Sequence, residues 1–138
     1  MDILWSPWRY DYIKSGDNNF KASSCVFCEL LTSPATDEEK FILHRAGHNF
    51  VILNIYPYIS GHLMIVPYAH IADLDKASKS ATDELMDLTK HCQTALRETY
   101  QPDGFILGMN FGIAAGAGVT NRKRLKRTRR VIKESRRR

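Results

Sequence analysis

Apolar residues along the 138-residue chain follow two different periods. FILHR (41–45), NFVILNIY (49–56) and HLMIVPY (62–68) are short runs rich in β-formers, divided by Ala46-Gly47 and by Pro57-Tyr58-Ile59-Ser60-Gly61. Such punctuation between apolar runs predicts an antiparallel meander. Over residues 80–100 the period lengthens, with Leu85, Leu88, Cys92, Ala95, Leu96 and Thr99 recurring at three- and four-residue steps. That is one stripe of an amphipathic helix. Ser80 with Asp83 predicts its N-terminal capping box, and Gln101-Pro102-Asp103-Gly104 its end. GFILGMNFG (104–112) then reads as a fourth strand. Strands, one long helix and a further strand make an α+β layout. The opening LWSPWRYDYI, interrupted by Pro7, is expected as an ordered arm across the domain, and residues 29–39 as a loop.

Charge divides the chain where hydrophobicity does not. Residues 121–138 hold 11 of the 20 Lys and Arg and one acid, Glu134, for a net +10. The first 120 residues hold nine bases and fourteen acids, so the body is mildly acidic and the formal +5 describes the end of the chain. The division predicts a domain over 1–119 and a basic, disordered segment over 120–138 that contacts polyanions by charge alone. Length and a hydrophobic content of 43% suit a single core without disulfide staples. Three cysteines, two of them in Cys25-Val-Phe-Cys28, do not make a secreted disulfide framework. No apolar run reaches membrane-spanning length, and the first residues lack a basic-then-apolar leader pattern. These features point to a cytoplasmic protein without a membrane partner.

Several residues carry candidate chemistry. Cys25 and Cys28, two residues apart, read as a metal knuckle or a redox pair, or as two buried thiols. Asn54 closes the second apolar run and suits a turn cap before Pro57. His62 heads the third run after Gly61, where a lone histidine is most often structural. Asn110, Gly112 and Gly116-Ala117-Gly118 form a small, polar stretch whose backbone N–H groups could approach anionic oxygens. His91 and Cys92 are adjacent on the predicted helix, about 100° apart, so they do not form a nucleophile–base pair. Cys92 belongs to the core.

In order, LWSPWRYDYI, CVFC, LNIYPYISGHLMIVPYAH and GFILGMNFGIAAGAGV resemble the histidine-triad (HIT) family of nucleotide hydrolases and transferases, in its diadenosine-polyphosphate phosphorylase or hydrolase branch. The resemblance implies a HIT-like antiparallel sheet with one long helix, a homodimer, and hydrolysis or phosphorolysis at a nucleotide α-phosphate. It implies that Asn54 holds ribose hydroxyls, that His62 has an accessory orienting role, and that Asn110, Gly112, Gly116, Ala117 and Gly118 approach the phosphates. It also makes His70 the third zinc ligand with Cys25 and Cys28, and calls for no organic cofactor.

The family's last strand carries His-x-His-x-His, whose middle imidazole attacks phosphorus and forms a nucleotidyl-histidine. Its spacing from Asn110 puts the first histidine at Asn121, or at Arg122 with one insertion, yet no histidine follows His91. The expectation is therefore an inactive or severely impaired family member with the last strand missing or replaced, leaving an unpaired strand edge at 104–111. Its zinc site is expected to lack a fourth protein ligand. The abrupt change after Val119 suggests a reading-frame change. The rival expectation is a nucleic-acid or polyanion-binding module acting through the Arg/Lys-rich segment.

Overall fold

The structure, a computed structural model, describes residues 25–55, 57, 60–115 and 128–133, with backbone alone at 113 and 128–133. Strands β1 (Ile42–Arg45), β2 (Asn49–Leu53), β3 (Leu63–Pro67), β4 (Gly104–Met109) and β5 (Thr128–Lys133) form one sheet in the order β1-β2-β3-β5-β4. Every neighbouring pair is antiparallel. Helix α1 (Val26–Thr32) precedes the sheet, and the long helix α2 (Lys79–Tyr100) connects β3 to β4.

β2 and β3 are buried almost throughout, which is why they read as continuous apolar runs rather than alternating ones. Successive strand side chains leave on opposite faces, so the two strands feed two cores. Val51, Leu63 and Ile65 pack with Leu85, Leu88, Cys92 and Leu96 of α2. Phe50, Ile52, Met64 and Val66 pack on the other face with Cys25 and Phe27 at α1.

Four sequence expectations are corrected. Residues 29–32 belong to α1 rather than to a loop; Phe27, Leu30 and Leu31, at three- and four-residue steps, pack on the second core. Helix α2 starts earlier than the Ser80–Asp83 pattern implied. Ser78 is its N-cap, with its hydroxyl accepting from the Ala81 N–H at 3.2 Å, while Asp83 pairs with Lys79. Ala95 and Thr99 lie exposed, and Ala81 and Thr89 are buried in their place.

The last correction concerns the sheet edge. β4 is paired along its whole length, from Gly104 with Lys133 to Met109 with Thr128, and β5 also pairs with β3 at Leu63–Ile65. The last strand of the sheet is thus supplied by TRRVIK, inside the segment expected as a disordered basic tail. Ladder hydrogen bonds are made by backbone groups whatever the side chain, and Thr128, Val131 and Ile132 are β-branched, so the charge did not prevent a strand. The N-terminal arm LWSPWRYDYI lies outside the described residues.

Glu84 ties α2 to the sheet. Its carboxylate accepts from the His48 N–H (2.9 Å), the Asn49 N–H (2.8 Å) and the Asn49 side-chain amide (2.9 Å). Burial pushes this carboxyl up, but those hydrogen bonds outweigh it and hold it below the usual range. A carboxyl depressed in the folded state stabilises above its unfolded pKa, and that contribution fades as pH falls through the folded value. Glu84→Ala should cost about 1–3 kcal/mol at neutral pH, because it leaves buried donors unmet. The gap between wild type and variant should close in melts taken at progressively lower pH through the carboxylate range. A pH-independent gap would show that the ionised form is not what α2 uses.

Candidate functional site

Two polar groupings sit at opposite ends of β3. At its C-terminal end, Cys25 precedes α1, Cys28 lies one turn further, and His70 follows three residues after Pro67. One ligand atom from each lies within 4.8 Å of the others, and Cys28 Sγ is 3.3 Å from His70 Nδ1. A tetrahedral zinc with ordinary Zn–S and Zn–N bonds spaces such donors about 3.5–3.8 Å apart, so a small contraction would close the cluster. Two thiols and an imidazole are a donor set that suits zinc. Cys25 is buried, Cys28 half-buried and His70 exposed. Among the described residues His44 and His48 do not join the cluster.

At the other end, Asn54 follows β2 and His62 precedes β3. The Asn54 N–H donates to the His62 carbonyl at 3.0 Å, continuing the β2–β3 ladder past its last paired residues. Both side chains are buried, and Asn54 Nδ2 lies 3.2 Å from His62 Nδ1. Nδ2 is also 3.5 Å from His62 Nε2, and since an amide nitrogen only donates, its partner is whichever ring nitrogen is unprotonated. The turn that delivers His62 needs Gly61, whose φ is 75°, a region that side chains with a Cβ enter at a cost.

These two residues line a pocket of about 330 Å³ together with Phe41, Ile55, Pro57 and Ser60. Phe41 and Ile55 are 48% and 58% exposed, so apolar surface flanks the polar pair. Phe41 also holds a φ of 59°, while its carbonyl accepts from the Leu53 N–H at 3.0 Å. Strained non-glycine backbone of this kind gathers at ligand sites. Sequence reading missed Phe41 and Ser60, because only the turn geometry brings them beside Asn54.

Asn110 and Gly112 follow β4. Through β5, Met109 is level with Ile65 and Leu107 with Leu63, so Asn110 sits toward the C-terminal end of β3. It is thus toward the cysteine–histidine end of the sheet rather than beside Asn54 and His62. Gly112 has φ 76°, and a Cβ added there would meet nothing within 4 Å. Gly116, Ala117 and Gly118 lie outside the described residues, as do Asn121 and Arg122, the expected start of the triad.

A five-stranded antiparallel sheet with one long helix packed across it, and a cysteine–histidine cluster where the third strand ends, define an α+β domain. The HIT domain family model matches residues 35–121, and the chain belongs to that family. It is 31% identical over 124 residues, 86% of its length, to a protein of Mycobacterium tuberculosis named AP-4-A phosphorylase. The chain spans 63% of that relative's length. Among solved structures, a HIT family protein from Bacillus anthracis superposes with a TM-score of 0.68 at 19% identity, covering 83% of this chain and 77% of the other. A zinc-bound histidine triad family protein from Mycobacterium smegmatis gives 0.63 at 24% identity, covering 83% and 78%. Both likenesses establish the fold.

Proposed function

We propose that this chain is a HIT-family nucleotide-binding protein that holds a nucleotide at the Asn54–His62 pocket and does not cleave it. The observation that carries this reading is the buried Asn54–His62 pair opening on a pocket with apolar flanks at Phe41 and Ile55. Family resemblance gives Asn54 the ribose hydroxyls and His62 an orienting role, and it gives the phosphates to Asn110, Gly112 and residues 116–118, of which Asn110 lies toward the other end of β3 and outside this pocket. The AP-4-A phosphorylase relative points to dinucleoside polyphosphates as ligands. Turnover by the family reaction needs a nucleophilic histidine on the last strand, and no histidine follows His91.

Zinc is the metal proposed for Cys25, Cys28 and His70, with water completing the tetrahedron. There it would clamp α1 to the end of β3, a structural role away from the pocket. Loss of an outer partner of a metal ligand typically costs 10–100-fold in affinity, so loss of a ligand should cost at least as much. His70→Ala is therefore expected to weaken zinc binding at least about tenfold in competition with a colorimetric chelator, whereas His44→Ala leaves it unchanged. Equal affinities in all three proteins would place the metal elsewhere. A homodimer and a cytoplasmic location complete the reading; among the described residues no helix is long and apolar enough to cross a membrane.

Calorimetric titration with AMP tests the pocket. Asn54→Ala should weaken binding about tenfold or more, the loss of hydrogen bonds to buried ligand hydroxyls, with the circular-dichroism spectrum retained. Unchanged affinity in a folded variant would remove the nucleoside from this end of β3.

A further inference from the structure

The spacing of Cys25-Val-Phe-Cys28 suits redox chemistry as well as a metal, and the start of α1 gives that second use a geometry. Cys25 is the N-cap of α1, in extended backbone, and its carbonyl accepts the first helical bond from the Glu29 N–H at 2.9 Å. Cys28 therefore stands at the third helical position, whose side chain adjoins that of the N-cap as in a capping box. Residues three apart in a helix hold their Cα atoms about 5 Å apart, inside the range of about 4.4–6.8 Å that disulfides span. The two sulfurs lie within 4.8 Å of each other. A bond between them calls for side-chain rotation rather than unwinding of α1.

Exposure separates the two thiols. Cys25 is 8% exposed, whereas Cys28 is half-buried and His70 beside it is exposed. An oxidant arriving from solvent meets Cys28 first, with Cys25 behind it in the place of a resolving thiol. Cys92 packs with Leu88 and Leu96 in the α2 core, so the sheet stands between it and the pair. The same two sulfurs supply two of the three metal-ligating atoms of the cluster. Metal ligation needs the thiolate, and a disulfide sulfur has none to give. Bridge and metal therefore exclude each other at this site.

We propose that Cys25 and Cys28 form a peroxide-sensitive dithiol switch, which holds zinc with His70 when reduced and releases it on closing a disulfide. Metal release rests on the zinc reading, while the dithiol itself stands on the geometry of α1. In the first step the Cys28 sulfur attacks one oxygen of hydrogen peroxide. An S–O bond forms, the O–O bond breaks, and the departing oxygen leaves as water with the thiol proton. The Cys25 sulfur then attacks the Cys28 sulfur; the S–S bond forms, the S–O bond breaks, and a second water leaves with the Cys25 proton. Where zinc has already displaced the thiol protons, solvent supplies them. The two sulfurs lose two electrons and the peroxide gains two. Zinc leaves as the divalent ion, since His70 alone of the three ligands remains. The clamp between α1 and the end of β3 goes with it, leaving α1 held by Phe27, Leu30 and Leu31 on the second core.

Hydrogen peroxide is the probe, added to the zinc-loaded full chain while intact mass and zinc transfer to a colorimetric chelator are followed together. The expected result is a loss of two hydrogens, mapped by digestion to a Cys25–Cys28 bridge, with zinc released in step. Zinc affinity should fall at least about a hundredfold, about tenfold or more for each sulfur withdrawn. Dithiothreitol should restore both mass and affinity. Cys92→Ala is expected to behave as the wild type, and Cys25→Ala to stop at oxygen adducts on Cys28 with no bridge. Zinc retained by the bridged protein, a bridge to Cys92, or oxygen adducts on Cys28 of the wild type in place of a bridge overturns the proposal. The same oxidation of the metal-free full chain separates the proposal from the reading beneath it. If the bridge closes there, and the reduced chain binds no zinc, the dithiol holds and the zinc assignment fails.

Discussion

Phe50→Ala is expected to destabilise the protein by about 3–5 kcal/mol, the usual cost of emptying a fully buried phenylalanine site. Phe50 has no exposed surface. Its ring meets Phe27 of α1 edge-on at 6.4 Å and Tyr68 at 5.4 Å, so one side chain joins α1, β2 and the end of β3. Phe27 lies between Cys25 and Cys28, and collapse around a cavity there would also displace the metal ligands. Urea unfolding should show the loss as a lower midpoint, with metal affinity falling in parallel. Phe41→Ala, at a site 48% exposed, should cost under about 1 kcal/mol by comparison. If the two variants unfold alike, the second core is not where the structure puts it.

Diadenosine tetraphosphate incubated with this protein is expected to turn over at least about a thousandfold more slowly than with a triad-bearing relative assayed beside it. The figure follows from what removing a covalent nucleophile costs enzymes that depend on one. Binding alone lowers no barrier unless the transition state is held more tightly than the substrate. A covalent path would need a group able to attack phosphorus and leave again; arginine does not serve, because its guanidinium stays protonated. Intact-protein mass spectrometry after mixing should therefore show no nucleotidyl adduct, with or without added phosphate. An adduct, mapped by digestion to His62 or His91, would mean that the chemistry has moved to another residue.

The sheet and long helix were legible because their signals are local. Phe50 through Ile52 and Leu63 through Val66 are apolar runs too short for helices, and Leu85, Leu88, Cys92 and Leu96 keep the helical period. Other features were hidden for separate physical reasons. Helix α1 is short, and Ser33-Pro34 just beyond it reads as a loop. The N-cap was placed at Ser80 because Asp83 stands three residues on, yet Ser78 makes the bond and Asp83 serves Lys79. β5 was obscured because charge dominates a linear reading, whereas strand pairing is decided by backbone groups and by the vacant edges of β3 and β4.

The candidate site divides in the same way. The spacing of CVFC left a metal knuckle, a redox pair and two buried thiols open; His70, 42 residues from Cys28, came only from family resemblance, and its Nδ1 lies 3.3 Å from Cys28 Sγ. Asn54 was legible as a strand-end amide. Its pairing with His62 depends on register, which a sequence does not print. Phe41 was invisible as a pocket residue because its exposure and positive φ arise from the turn into β1.

The decisive measurement pairs binding with chemical fate in one sample. Diadenosine tetraphosphate is titrated into the full chain at near-physiological salt, the mixture is held with the metal and phosphate that a triad-bearing relative needs, and the nucleotide is recovered by chromatography. The account predicts a saturable isotherm that Asn54→Ala weakens, with the ligand recovered intact. Products forming at a rate proportional to protein concentration, or a wild type that does not bind, would contradict it.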